Sequence, residues 1–349
     1  MLVSGEEAID AARRMARHGV DGTLAIDWPD LMAFKRTFTD PIPAKQAHRY
    51  AELGVDALHG VARFAGPDTI VVEGRTLRAR HILIASGARP VPLGIPGEDL
   101  VSTSDAFLEL QALPRRIVLI GGGYVAAEFS HLAARAGAEV TILQRAERDL
   151  SVAADLVVHA AGRGPDLKAL DLSAGEVAVQ DGRLQLDAHL RSISNPRVYA
   201  AGDAAGVGPR LTPVSSHDAK VVAANLLDGP THQPDYRGVP SVAFTLPPIA
   251  AVGLSEEAAR RGGVALRVNA ASTPDWFTAR RLAEPVYGHK LLIDEDTDLI
   301  LGAHLVGPNA DEVINVFGLA IRHGLTAADL RSTMFAYPTG ASDVGYMLT

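Results

Sequence analysis

The residues best placed to do chemistry lie in short glycine turns at the ends of apolar runs. Gly121-x-Gly123-x-x-Ala126 comes directly after the strand-like run 117–120 and opens a helical stretch, 124–136, that Gly137 ends. In that setting the glycines let backbone approach a pyrophosphate, whose charge sits on the N-terminus of the helix beginning at Tyr124. A tight strand-to-helix turn without a ligand is the plainer reading of the same residues. About 20 residues past the first glycine an acid would bind the ribose 2′-hydroxyl of NAD. Gln144 stands there, followed by Arg145 and Arg148. A neutral amide with two guanidiniums leans toward a 2′-phosphate and NADPH; two solvated arginines in a loop would look the same. A second turn, Gly202-Asp203, follows the apolar run 198–200. A carboxylate just after a buried strand needs a hydroxyl or N–H partner, unless it is an ordinary turn aspartate.

Other chemistries are excluded by composition. The 349 residues contain no cysteine, so disulfides, thiolate metal sites and any step through a cysteine sulfur are ruled out for them. The 12 histidines are scattered singly, without HExxH or an i, i+4 pair, and no metal is predicted. There is neither a Gly-x-Ser-x-Gly elbow nor a Walker A loop. Lys plus Arg number 33 against 41 Asp plus Glu, for a net charge of -8. No basic block tracks a phosphate backbone, which argues against nucleic acid. No apolar run approaches the roughly 18 residues of a membrane span, and the N-terminus does not read as a signal peptide, so a cytoplasmic chain is expected.

The elements that must position these turns fall into three stretches. Helices are expected over 6–18, 28–38 and 44–53, then a hairpin of 69–72 and 76–78 around Glu73-Gly74, and a buried strand over 81–85. The Pro- and Gly-rich stretch 89–97 reads as a linker. Beyond a short capped segment at 102–110, strand 117–120, helix and strand 139–143 make one βαβ unit. A lone strand at 156–160, a hairpin around Asp181-Gly182, strand 198–200 and a long helix over 212–227 follow. From Pro240, strands at 242–244, 250–252, 290–293 and 300–305 with a helix over 310–323 suggest an α+β domain. On that helix Val313, Val316, Phe317 and Ile321 recur at helical spacing.

A series of motifs in fixed order then carries a resemblance: 81–90 (HILIASGARP), the Gly121 fingerprint with Glu128, Gly162-Arg163 before Pro165, 199–203 (YAAGD), 211–214 (LTPV), 248–253 (PIAAVG) and Tyr337-Pro-Thr339. Together they resemble the pyridine nucleotide-disulfide oxidoreductases, the group of glutathione reductase, dihydrolipoamide dehydrogenase and mercuric reductase. The resemblance implies an α/β flavoprotein with two dinucleotide-binding domains and a C-terminal α+β dimerisation domain. It places a partial FAD domain at 1–112 and 187–236, a shortened NAD(P) domain at 113–186 and the dimerisation domain of a homodimer at 237–349. It also implies roles. Ser86-Gly87 matches the turn beside the flavin, and Asp203, after Gly202, matches the acid that hydrogen-bonds the ribityl chain. Thr212, Pro213 and Val214 match a helix start facing the flavin pyrimidine, where a positive dipole end favours anionic reduced flavin. Tyr124 matches the residue that shields the nicotinamide side of the flavin.

Against the family pattern the chain departs sharply. It starts after the place of the flavin-side glycine unit and of the redox disulfide, and after the lysine that Glu128 would pair with. Tyr337 and Ser342 stand where the family has its proton-transfer histidine and the glutamate five residues later; Asp343 is one place off. Strands and a helix of the NAD(P)H domain are missing between 150 and 156. The reading is a truncated oxidoreductase by descent, with FAD weak or lost, NAD(P)H as the other cofactor with NADPH slightly favoured, and an impaired hydride transfer from NAD(P)H to flavin without dithiol chemistry. The alternative is a non-catalytic dimerisation partner or the product of a decaying gene.

Overall fold

A computed structural model describes residues 2–144 and 151–349. Arg145 and Arg148, the two cations behind Gln144, lie outside the described residues. The chain divides into two compact units: Met1–Lys35, Asp99–Ala160 and Arg237–Thr349 form the first, Arg36–Glu98 and Ala161–Tyr236 the second.

The first unit holds two cores. Strand Arg116–Ile120 is flanked in parallel by Glu139–Leu143 on one side and Leu156–His159 on the other. The strand expected to stand alone is therefore the third member of a sheet. Its apolar residues Leu156, Val157 and Val158 take the free edge of the central strand, a long-range pairing that periodicity does not reveal. Helix Tyr124–Arg135 packs on this sheet, and Trp28, Met32, Phe107, Ile117, Leu119, Leu132 and Val158 fill the space beneath. Phe107 stacks on Phe129 with ring centroids 4.4 Å apart. Lys35 is buried here, but its Nζ donates to the Leu108 carbonyl at 2.9 Å and pairs with Glu109, so its charge is compensated.

The second core lies under a five-stranded antiparallel sheet in the order Ser241–Ala243, Ile249–Gly253, Ile300–Val306, Gly288–Asp294, Leu266–Ser272. Helix Ala310–His323 runs over the expected residues and lays Val313, Ile314 and Phe317 on the sheet. Val316 and Ile321 pack against the same core, so the apolar stripe faces its own sheet. Phe317 is fully buried, and removing such a ring costs about 3–5 kcal/mol. The edge strand Leu266–Ser272 was not expected: its sequence, LRVNAAS, mixes polar and small residues, and pairing with Gly288–Asp294 decides its conformation.

In the second unit, strand Ala62–Gly66 joins the expected hairpin Thr69–Val72 and Arg75–Arg78 to make a three-stranded sheet. Strands Ile82–Ile84 and Val198–Ala200 pair in parallel, Ile84 opposite Ala200. The stretch read as pure linker begins with a short strand, Ala88–Pro90, antiparallel to Arg163–Pro165. Residues 161–186, expected as the tail of the nucleotide domain, make their contacts here: Val177 and Leu184 share a core with Phe64, Ile84 and Val198. Helix Thr212–Asp228 closes the unit, with Val214, Asp218, Val221, Val222 and Asn225 on its buried face.

Candidate functional site

In the first unit the glycine turn has the form a dinucleotide needs. Gly121 sits at φ +112°, left-handed backbone that a side chain would strain, and its N–H donates to the Leu143 carbonyl at 2.8 Å. Gly123 caps the helix in extended geometry, and a Cβ built on it meets nothing within 4 Å. That open approach lies at the start of helix Tyr124–Arg135, whose first N–H groups have no intrahelical partner. Ala126 is fully buried, as close packing of helix on strand requires. Gln144 leans over the turn, its Oε1 2.6 Å from where a Gly122 Cβ would be. These residues fit a pyrophosphate.

Tyr124 is 59% exposed at the mouth of the turn. Glu128, one helical turn further, is engaged: its Oε1 accepts from the Phe244 N–H at 3.0 Å. Nearby, Glu6 is 1% exposed and one of its oxygens has no hydrogen-bond partner. Its carboxyl is pushed up to about 7, first by burial, with Arg135 pulling it down and Asp10, Glu7 and Glu128 adding to the rise. Arg135 itself donates to Asp10 at 3.1 Å and lies 2.8 Å from His131 Nδ1. Burial and the Arg135 charge hold His131 below the usual histidine range.

The second unit gathers the other expected residues at the carboxyl ends of its two parallel strands, the edge where open α/β sheets bind ligands. Ser86-Gly87 follows one strand and Gly202-Asp203 the other. The Ser86 hydroxyl donates to the Asp166 carbonyl at 2.6 Å, and the Asp166 N–H donates to the Gly87 carbonyl at 2.9 Å. Gly162 offers its carbonyl to the Val91 N–H. Gly202 is left-handed at φ +61°, and a Cβ there would lie 2.8 Å from that of Ser215. This close approach lets the turn sit on the first turn of helix Thr212–Asp228. Thr212 and Pro213 are exposed at the helix start and Val214 is buried. Asp203 is partly exposed on the same turn. A carboxylate, a helix N-terminus and two strand ends fit one flank of a flavin.

Two residues behind this cradle escaped the sequence reading. Asp218, fully buried, accepts from the Gly202 N–H at 2.9 Å and from the Tyr236 hydroxyl at 2.8 Å. It holds the turn that carries Asp203, and burial with the Asp218 contact raises the Tyr236 hydroxyl well above its usual range. The signal was available, since Asp218 falls on the apolar stripe of Val214, Val221, Val222 and Asn225 at helical spacing.

No acid–base pair forms at the C-terminal positions. Tyr337 is 76% exposed, with the Phe277 ring centroid 6.0 Å away. Ser342 is absorbed in a reciprocal cap with Thr339, its Oγ donating to the Thr339 carbonyl at 2.5 Å. Asp343 is buried and accepts from the Tyr287 hydroxyl at 2.8 Å.

A strand–glycine turn–helix unit that fits a pyrophosphate and a second strand-end cradle with an acid and a helix start are features of the dinucleotide-binding class of α/β folds. Models of the pyridine nucleotide-disulphide oxidoreductases match residues 8–153 and 147–219, and the dimerisation domain of that group matches 239–347. The chain belongs to this family, whose members use FAD and NAD(P)H. A mercuric reductase of Staphylococcus aureus is 32% identical over 342 residues, 83% of this chain and 62% of the reductase. An uncharacterized 19.7 kDa protein in a mercuric resistance operon of the same species is 46% identical over 180 residues, 51% of this chain and all of that protein. The chain thus spans less than two thirds of the mercuric reductase it matches. A solved structure, the HOCl-induced flavoprotein disulfide reductase RclA from Escherichia coli, superposes with a TM-score of 0.85 over 99% of this chain and 89% of the other, at 23% identity. At that identity the likeness is one of fold.

Proposed function

We propose that the chain is an FAD- and NAD(P)H-dependent oxidoreductase that passes hydride from NAD(P)H to flavin and runs no dithiol chemistry on its own residues. The observation that carries this reading is the Gly121 turn, where left-handed backbone, open approach at Gly123 and a buried Ala126 occur together. Gly121, Gly123 and the helix start at Tyr124 would hold the nucleotide pyrophosphate. Ser86, Gly87, Gly202, Asp203 and the helix start at Thr212 would flank the flavin, with Asp203 accepting from a ribityl hydroxyl. Bound flavin would supply a hydride acceptor that can release electrons singly or in pairs. With no cysteine among the 349 residues, the acceptor beyond flavin is a quinone or oxygen. The mercuric reductase relative's substrate does not carry over, because soft metal ions are held by thiolates and this chain offers none. NADPH is favoured over NADH on the neutral Gln144. FAD is held weakly by these residues, since the one glycine fingerprint among them belongs to the nicotinamide nucleotide. A homodimer through 237–349 and a cytoplasmic location complete the reading. Among the described residues no helix is long and apolar enough to cross a membrane. Calorimetric titration with NADPH, NADH and FAD tests the assignment: NADPH at least matching NADH and exceeding FAD in affinity supports it, and a clear preference for NADH removes the role given to Gln144.

A second reading, a non-catalytic dimerisation partner, draws on the C-terminal region. The family's acid–base positions there hold an exposed tyrosine and a capped serine, while the deep core under the five-stranded sheet is intact. Purified protein that takes up no flavin and yet sediments as a dimer would favour it.

A further inference from the structure

The second unit also contains a cleft that neither cofactor reading uses. Its volume is about 460 Å³, and its walls include four arginines, Arg89, Arg163, Arg183 and Arg210, with Pro90 and Pro165 as apolar surface between them. Small-ligand sites typically measure about 300–1,000 Å³. Among the described residues that line it, Asp181 is the only carboxylate, and Asp166 stands 3.5 Å from Arg89. The concavity therefore carries an excess of positive charge in a chain whose net charge is -8, the arrangement that concentrates anions locally.

Two of these guanidiniums are held from behind. Arg163 donates through Nη2 to the Ala88 carbonyl at 2.6 Å, and Arg210 donates through Nη1 to the Arg163 carbonyl. A guanidinium has five donors in a rigid fork, so anchoring one of them to backbone fixes the orientation of the rest and reduces the rotamer entropy lost on binding. Arg183 projects from the Asp181-Gly182 turn, exposed and opposite Gln180 in the hairpin. Arg89 makes a long contact to Asp166. From this combination we infer that the cleft binds a compact oxyanion bearing two or more negative charges, such as a phosphate ester or a dicarboxylate. Planar forks from several directions satisfy such a group in a way that one cation cannot.

The test uses the full chain, with pyrophosphate and succinate as probes in separate calorimetric titrations at low salt. Wild type should bind one or both with a marked dependence on ionic strength. A double variant, Arg89→Gln with Arg183→Gln, leaves the two backbone-anchored arginines in place. It should weaken the probe at least about tenfold while its melting temperature and its NADPH affinity stay at wild-type values. Pyrophosphate alone binding assigns a phosphate ligand, and succinate binding extends the site to carboxylates. Absence of binding at millimolar concentration overturns the inference. So does binding insensitive to the double variant, or a parallel loss of NADPH affinity, which would place the probe in the nucleotide site. A failure of the NADPH assignment itself would show in wild type and leave the probe titration readable.

Discussion

The two glycine turns of this chain solve the same problem by different means. At Gly121 everything needed is contiguous: strand, left-handed glycine, open Gly123 and the helix that follows within three residues. At Gly202 the turn is held by Asp218, 16 residues away on a helix that begins only at Thr212. The first is a local device whose parts fail singly; the second rests on one buried carboxylate, and its geometry and the stability of its unit should fail together.

The largest effect is expected at Asp218. Asp218→Ala strips the acceptor from the Gly202 N–H and the Tyr236 hydroxyl, and two donors left unsatisfied cost about 3 kcal/mol in all. Denaturant unfolding should show that loss, and unchanged stability would mean the turn is held otherwise. At the other turn, Gly123→Val should abolish NADPH binding, a loss of at least about 100-fold or 2.7 kcal/mol, with stability nearly unchanged because nothing lies within 4 Å of the new Cβ. Nucleotide binding that survives the valine would remove Gly121–Ala126 as the site.

A smaller effect is expected from Glu6. Its carboxyl is raised from an ordinary 4.5 to about 7, so the folded chain holds a proton that the unfolded chain has released between those values. Stability from this group is full below about 4.5 and is lost as pH rises through about 7. After solvent screening the loss is of the order of 1–2 kcal/mol. Glu6→Gln should flatten the melting temperature between pH 5 and 8; an unchanged slope would mean that the carboxylate is better solvated than its burial implies. The smallest effect is at Tyr236→Phe, which deletes one hydrogen bond to Asp218 for about 1 kcal/mol. A change as large as that of Asp218→Ala would show that the tyrosine, rather than the aspartate, anchors the turn.

What was legible in the sequence follows the same division. The Gly121 unit and the helix Ala310–His323 could be read from local periodicity, because glycine spacing and apolar stripes are short-range signals. The place of Leu156–His159 as third strand, the pairing of Ala88–Pro90 with Arg163–Pro165, and the edge strand Leu266–Ser272 depend on partners distant in sequence. The Asp218 anchor lay between these cases: a polar residue on an apolar helical face marks a buried partner without naming it. Tyr337 and Ser342 could be matched to the positions of a family pair, with Asp343 one place off, and only the structure shows Ser342 and Asp343 committed to other bonds.

Hydride transfer from NADPH to flavin is the step on which the proposed function stands. It is read most directly by loading the 349-residue chain with excess FAD, removing free flavin, and adding NADPH without oxygen in a stopped-flow absorbance experiment. The visible flavin band of the bound fraction should bleach, Gly123→Val should suppress the bleaching, and the band should return when oxygen or a quinone is admitted. Bound flavin that stays oxidised under saturating NADPH would contradict it.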